Sequence, residues 1–377
     1  MKSLLDYFQS RHGEILESIR NLVEIESPSF DVEGSRAAVD FLVGEAEKIS
    51  LNLKIERVFR ENYGEHLVIR AFENVGGEKP VLLLGHTDTV HPRGSLCQNP
   101  TRIEGDKFYG CGIFDMKANC VLILEILRAF SELNLTPKHP VTILLSCDEE
   151  VGSETGRALV EAEAAAAAFC LVCEPSAGGR AKTGRKGTAW LAVKARGIPA
   201  HAGLEPEKGA SAILELSKQI QTLHALNAPE RGTTVNVCTI KGGTTSNVIP
   251  EFAELEVDVR FTAMSEAERI LSEIQSLESF DNRVSLEIEG GLNRPPLERS
   301  ARIIELYEKA RKIAVQMNYE FGETQVGGAS DGNFVAALGV PVLDGLGVTG
   351  DGAHTLREHI LISDVPKRAA LVAALML

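Results

Sequence analysis

The chain has 377 residues, 44% apolar and 24% charged, with a formal net charge of −14. That length exceeds what a single hydrophobic core usually serves, so two domains are expected, and the composition is that of a folded protein rather than a disordered one. The acidic balance, with no basic patch, excludes DNA, RNA and anionic membrane as partners, because phosphates reward clustered cations.

The N-terminal residues 1–15 mix Lys2, Asp6, Arg11 and Glu14 into short apolar runs, which is not the pattern of a secretion signal. No later run is long enough to span a bilayer. Seven cysteines, an odd number scattered through apolar segments, suit a reducing compartment, so a cytoplasmic location is expected. Cys170 and Cys173 form a C-x-x-C, but they lie in a run that reads as a buried strand, and no second pair completes a zinc cage.

In chain order, apolar runs at 81–85, 141–147 and 169–173 each end abruptly in polar residues, at His86, Asp148 and Glu174. They read as buried strands. Helical stretches at 117–133 and 161–168 alternate with them, the grammar of a mostly parallel central sheet flanked by helices. Ligands of such sheets gather beyond the carboxyl ends of the strands, where all three polar clusters fall.

From about Thr188 the pattern changes. Strands are expected at 189–196 and 234–240, a helix at 209–226, and period-two alternation over 253–261 gives one packed and one wet face. This describes a smaller α+β domain ending near a Gly290-Gly291 turn and a Pro295-Pro296 linker. A helix at 302–317 and a buried strand at 340–346 then return the chain to the first domain. The expected division is a catalytic domain over 1–182 and 295–377, interrupted by an inserted domain over 183–294.

Several residues carry chemistry. In Gly85-His86-Thr87-Asp88 the strand period puts His86 and Asp88 on one side, so the carboxylate could hold the imidazole for a metal. The loop Gly110-Cys-Gly-Ile-Phe-Asp115-Met-Lys117 delivers an Asp just before a helix, where an N-cap is the plainer role. Asp148-Glu149-Glu150 places three acids at a strand end, an arrangement that is costly without a cation or free solvation. Glu174-Pro175 ends another strand, and His354 sits in the Gly-rich 350–355. Singly, each has an ordinary explanation as a cap, a turn or a solvated loop. Together, His86, Asp115, Glu150, Glu174 and His354 sum to two imidazoles and three carboxylates, donors suited to zinc. Two ions sharing a carboxylate would fit that inventory, with a shared water activated near neutral pH.

The ordered series resembles the aminoacylase and carboxypeptidase G family of zinc peptidases, which includes succinyl-diaminopimelate desuccinylase and acetylornithine deacetylase. Beyond the motifs above it includes Gly197-Ile-Pro-Ala-His201-Ala-Gly, Ser246-Asn247-Val-Ile-Pro, Asp258-Val-Arg260 and Gly327-Gly-Ala-Ser-Asp331. The resemblance implies a ferredoxin-like inserted domain serving dimerisation and as a lid, and two Zn2+ per chain, with Co2+ or Mn2+ as substitutes. It implies that Asp115 bridges the ions, that His86 and Glu174 complete one site, and that Glu150 and His354 complete the other. Asp88 would orient His86, Glu149 would be the general base, and the 115–116 peptide would be cis. His201 would stabilise an oxyanion in the partner subunit of a homodimer, Asn247 would donate to substrate, and Arg260 would clamp a substrate carboxylate. Relatives often carry an aromatic where this chain has His359. The expected activity is cleavage of a peptide or N-acyl amino acid with a free carboxylate, in the manner of a glutamate carboxypeptidase. A biosynthetic deacylase is the second expectation, and a non-catalytic dimeric binding protein on the same fold the third.

Overall fold

The computed structural model describes residues 2–76 and 78–377. The chain forms two compact units: residues 1–184, 299–326 and 330–377 make one, and 185–298 with 327–329 the other.

The first unit is built on a six-stranded sheet. Its strands are β1 (Lys54–Arg60), β2 (Gly64–Ala71), β3 (Val81–His86), β4 (Val141–Ser146), β5 (Phe169–Val172) and, far along the chain, Val342–Leu343. In space the order is β1, β2, β4, β3, β5 and the 342–343 strand. The first two pairings are antiparallel and the other three parallel, so the sheet is mainly parallel where the polar strand ends lie. Every residue of β3 and β4 is buried, which explains their unbroken apolar sequences: a strand covered on both faces has no wet side to alternate with. Helix Ala118–Glu132 is apolar nearly all round because it packs against β3 on one side and helices His12–Val23 and Val365–Met376 on others. Register aligns His86 of β3 with Ser146 of β4, and Leu84 with Val172 of β5, so the residues that follow β4 and β5 emerge at the edge where His86 sits.

The second unit carries a four-stranded antiparallel sheet of β6 (Gly187–Arg196), β7 (Thr234–Gly242), β8 (Phe252–Phe261) and β9 (Ser285–Arg294), in the order β7, β8, β6, β9. Along β8 the alternation expected from sequence is present: Ala253, Leu255, Val257, Val259 and Phe261 are buried. They join Ala189, Leu191, Val193 and Ala195 of β6 and Leu216, Leu223, Ile270 and Ile274 from helices Ala212–Ala225 and Met264–Gln275 in a separate core.

Three expectations need correction. Gly290 and Gly291 are not a turn but lie within β9, where Gly290 has φ +90 and a Cβ would collide with the Trp190 carbonyl of β6. The helix expected at 161–168 runs from Arg157 to Ala166, because Ala167 turns extended to lead into β5. Of the strand expected at 340–346 only Val342–Leu343 forms a ladder, with β5, while Asp344 makes an isolated bridge to Lys182. Among the described residues no helix is long and apolar enough to cross a membrane.

Candidate metal centre

The edge formed by the ends of β3, β4 and β5 gathers all five sequence-predicted ligands. His86 is buried, and its Nε2 lies 3.1 Å from Asp115 Oδ1 and 3.4 Å from Glu174 Oε1. Asp115 turns its other oxygen, Oδ2, toward His354 Nε2 at 3.6 Å, and the same nitrogen lies 3.2 Å from Glu150 Oε2. One carboxylate therefore serves two groups, His86 with Glu174 and Glu150 with His354. Donor atoms of His86, Asp115 and Glu150 fall within 4.8 Å of one another, as do those of His86, Glu149 and Glu174.

Local sequence explains how each donor arrives. Asp115 caps no helix; the next helix begins at Ala118, and the carboxylate is free to face the histidines. Gly112 has φ +71 and abuts the Thr89 side chain, so only glycine turns the loop there, and the 115–116 peptide is cis. The three consecutive acids split their tasks. Asp148 is fully buried and accepts the backbone N–H groups of Thr155 and Gly156 at 2.6 and 3.1 Å, closing the loop on itself. Glu149 and Glu150 follow in a short turn whose two N–H groups, each at 3.2 Å, donate to the Asp88 carboxylate. Asp331 of the Gly327-Gly-Ala-Ser-Asp331 motif lies below, accepting the hydroxyls of Ser146 and Ser153.

Asp88 holds His86 differently from expectation. The ring's Nδ1 is 2.9 Å from the Asp88 backbone carbonyl and 3.4 Å from its carboxylate. The main chain is the nearer acceptor, so Nδ1 carries a proton, and Nε2 is the nitrogen that would meet a cation in the site. The carboxylate is thereby left to brace the Glu149–Glu150 turn and to accept Ser29 Oγ–H at 2.7 Å.

Electrostatics test whether these residues suit a cation. Contacts with Asp115 and Glu150 push His354 up to about 10. Burial alone would lower His86 and raise Asp115, but the carboxylates of Asp115, Asp88 and Glu174 hold His86 well above its usual value, and His354 and then His86 hold Asp115 well below its own. Burial and then the Asp115 charge push Glu150 up, and its Oε1 is buried with no hydrogen-bond partner. A site that draws protons this strongly onto imidazoles, and leaves a buried carboxylate oxygen orphaned, suits a divalent cation bound by oxygen and nitrogen. Thiolate plays no part: Cys120 donates to the His86 carbonyl, and burial pushes it up to about 12. Cys170 and Cys173 are likewise buried thiols raised by burial, the core cysteines expected from sequence.

The remaining predicted residues lie in the second unit. His201 is exposed, and its Nδ1 accepts the N–H groups of Gly203 and Leu204 at 3.1 and 3.2 Å, which fixes a ring proton on Nε2. Residues 200–201 pair with 248–249, and the Ala202 N–H donates to the Asn247 carbonyl, so this small ribbon keeps His201 and Asn247 together. Arg260 spends its fork on Asp258, with three hydrogen bonds of 2.8 to 3.0 Å.

Sequence reasoning missed the supports of the first unit: Ser29, His91 and the carboxylate of Glu358. It did flag His359, whose ring packs on Tyr109 with centroids 5.1 Å apart and so supplies the aromatic surface itself.

Paired carboxylates and imidazoles around a shared Asp, with an adjacent glutamate, at the carboxyl edge of a mainly parallel sheet, define a metal-dependent hydrolase. The sequence pattern of peptidase family M20/M25/M40 matches residues 82–377, and the chain belongs to that family; it is a metallopeptidase. Carboxypeptidase G2 from Pseudomonas sp. (strain RS-16) is 30% identical over 369 residues, covering 96% of this chain and 88% of that protein. A succinyl-diaminopimelate desuccinylase from Verminephrobacter eiseniae is 30% identical over 308 residues, 76% of this chain and 75% of its own. In fold, the crystal structure of aminopeptidase PepT from Bacillus cereus superposes with a TM-score of 0.79 at 21% identity, covering 97% of this chain and 98% of that one.

Proposed function

We propose that this metallopeptidase is a homodimeric di-zinc carboxypeptidase that releases a C-terminal amino acid from a peptide or N-acyl amino acid with a free carboxylate. The observation that carries the reading is the division of Asp115, one oxygen 3.1 Å from His86 and the other 3.6 Å from His354. His86, Asp115 and Glu174 would hold one zinc, and Asp115, Glu150 and His354 the second. Bound there, zinc would supply a Lewis acid and a water acidic enough to ionise near neutral pH. Glu149, beside the ligands, takes the proton of the attacking water and returns it to the leaving nitrogen. His201, whose Nδ1 accepts two backbone N–H groups, offers its Nε2–H to an oxyanion in the site of the partner subunit, and Asn247 donates beside it. Arg260 receives the substrate carboxylate in exchange for Asp258, whose own carboxylate already occupies the guanidinium fork.

Support for the substrate class comes from the relative named carboxypeptidase G2, which matches nearly the whole chain. A second reading, an N-acyl amino acid deacylase, is favoured by the relatives named succinyl-diaminopimelate desuccinylase. Elemental analysis of protein purified without chelator should find about two divalent ions per chain. A substrate panel then separates the readings: C-terminal glutamyl peptides should turn over faster than acetylornithine or succinyl-diaminopimelate, and the reverse order would favour the deacylase. Arg260→Ala should cost about ten- to a hundred-fold in kcat/KM on acid substrates and little on their terminal amides. Equal preference for acid over amide in mutant and wild type would remove Arg260 from substrate binding.

A further inference from the structure

Glu358 is fully buried, four residues beyond His354, and touches none of the five candidate ligand side chains. Its carboxylate nevertheless has four hydrogen-bond partners. Oε1 accepts the N–H groups of Phe114 and Asp115 at 2.8 and 2.9 Å. Oε2 accepts the N–H of Gly112 at 2.9 Å and faces His91 Nε2 at 2.6 Å. The Glu358 backbone adds a bond from the Gly110 N–H, and the next residue, His359, pairs with Tyr109. The whole loop 110–115 is thus wound around one side chain contributed from some 240 residues away.

The other end of the connection is as short. Thr355 N–H and Oγ–H both donate to the Gly352 carbonyl, Arg357 N–H donates to Thr355 Oγ1, and Glu358 N–H to the Thr355 carbonyl. His354 and Glu358 therefore share one compact hydrogen-bonded turn. Neutralisation of the buried carboxylate falls to His91: burial would lower its pKa, but contacts with Cys111 and Glu358 push it up to about 9, so it is cationic at neutral pH.

We propose that Glu358 is a positioning residue that locks the loop bearing Asp115 to the turn bearing His354, and so sets the affinity of the ion held by Asp115, Glu150 and His354 more than that of its neighbour. The inference rests on the two-metal reading above. The asymmetry follows from connectivity: the second ion takes two of its three ligands from the segments Glu358 joins, whereas the first takes His86 and Glu174 from strand ends that Glu358 does not touch. Glutamine cannot replace it. An amide offers one acceptor oxygen, so either the Phe114–Asp115 pair or the Gly112–His91 pair would face N–H groups.

The test is zinc titration by chelator competition, together with Co2+ absorption spectra, on wild type, Glu358→Gln, His91→Phe and, as a marker of the second ion, His354→Ala. Wild type should show two binding steps. In Glu358→Gln the step abolished by His354→Ala should weaken about 10- to 100-fold, the usual effect of removing a partner that orients ligands, while the other stays within a few-fold. His91→Phe, which leaves the carboxylate in place, should weaken the same step less, and it carries the test if Glu358→Gln does not fold. Two unchanged steps in either folded variant overturn the proposal. Equal weakening of both steps, with a lower melting temperature of the metal-free protein, would make Glu358 an ordinary structural residue and also overturn it. If wild type itself binds no ions, the metal reading fails and this inference falls with it, an outcome visible before any variant is made.

Discussion

Replacing Asp88 by asparagine keeps shape and removes one acceptor, which makes the cost calculable. In the native site Oδ2 accepts Ser29 Oγ–H and Glu150 N–H, while Oδ1 accepts Glu149 N–H and lies 3.4 Å from His86 Nδ1. The amide oxygen of asparagine can take the Oδ2 position and keep two donors. Its NH2 group must then face the Glu149 N–H, which loses its acceptor. One lost hydrogen bond to a charged, buried acceptor costs about 1.5–3 kcal/mol. Taking about 2 kcal/mol, the melting temperature should fall by roughly 2–4 °C. Release of the Glu149–Glu150 turn and of His86 should weaken metal binding by about 10- to 100-fold. Calorimetric melts with zinc and with chelator, alongside zinc competition titration, measure both effects. A variant that melts within about a degree of wild type and binds zinc within a factor of about two would refute the bracing role given to Asp88.

Adjacent acids should fail differently: Glu149→Gln should retain its ions while turnover drops about 10²- to 10⁴-fold, whereas Glu150→Gln should lose metal first. The reverse pattern in metal analysis would exchange their roles. Mixing His201→Ala subunits with Glu149→Gln subunits, each inactive alone, should restore activity through hybrids that pair one intact metal site with one intact His201; hybrids shown to form yet inactive would confine His201 to its own chain. Away from the site, buried Arg368 pairs with Asp364 at 3.1 Å and donates to the Gly179 carbonyl. Burial would raise Asp364, but Arg368, with Tyr319 and Thr349, holds it below the usual carboxylate range, so this contribution to stability is present at neutral pH and lost as pH falls below about 4. Arg368→Met should therefore cost about 3–5 kcal/mol at pH 7, with the gap narrowing in acid; a pH-independent gap in denaturant melts would exclude the ion pair as its source.

Much of this architecture was legible because its signals are local. Parallel strands buried on both faces must be apolar throughout, and their ends must turn polar where the chain meets solvent, so β3, β4 and β5 announced both themselves and the edge at which His86, Glu150 and Glu174 gather. Alternation in β8 likewise exposed the antiparallel sheet. What the sequence does not mark acts at long range. The carboxylate of Glu358 works on backbone N–H groups of residues 112–115, and no periodicity or spacing marks that role. His91 reads as one more polar residue after His86. Paired glycines usually make a turn, whereas Gly290 lies within β9 against the carbonyl of Trp190 on the neighbouring strand. The preference of His86 for a main-chain acceptor over the Asp88 carboxylate is a matter of tenths of an ångström, which side-chain alternation cannot resolve.

The second unit leaves and re-enters the first through Arg185 and Leu297, whose backbones bond to each other reciprocally, N–H to carbonyl, at 3.0 Å in both directions. An excursion of more than a hundred residues thus begins and ends at one stitched point. Ends that already touch leave little chain entropy to be lost on closing the gap with a short turn. A segment whose ends already meet can be exchanged or lengthened without reopening the core of the unit that carries it.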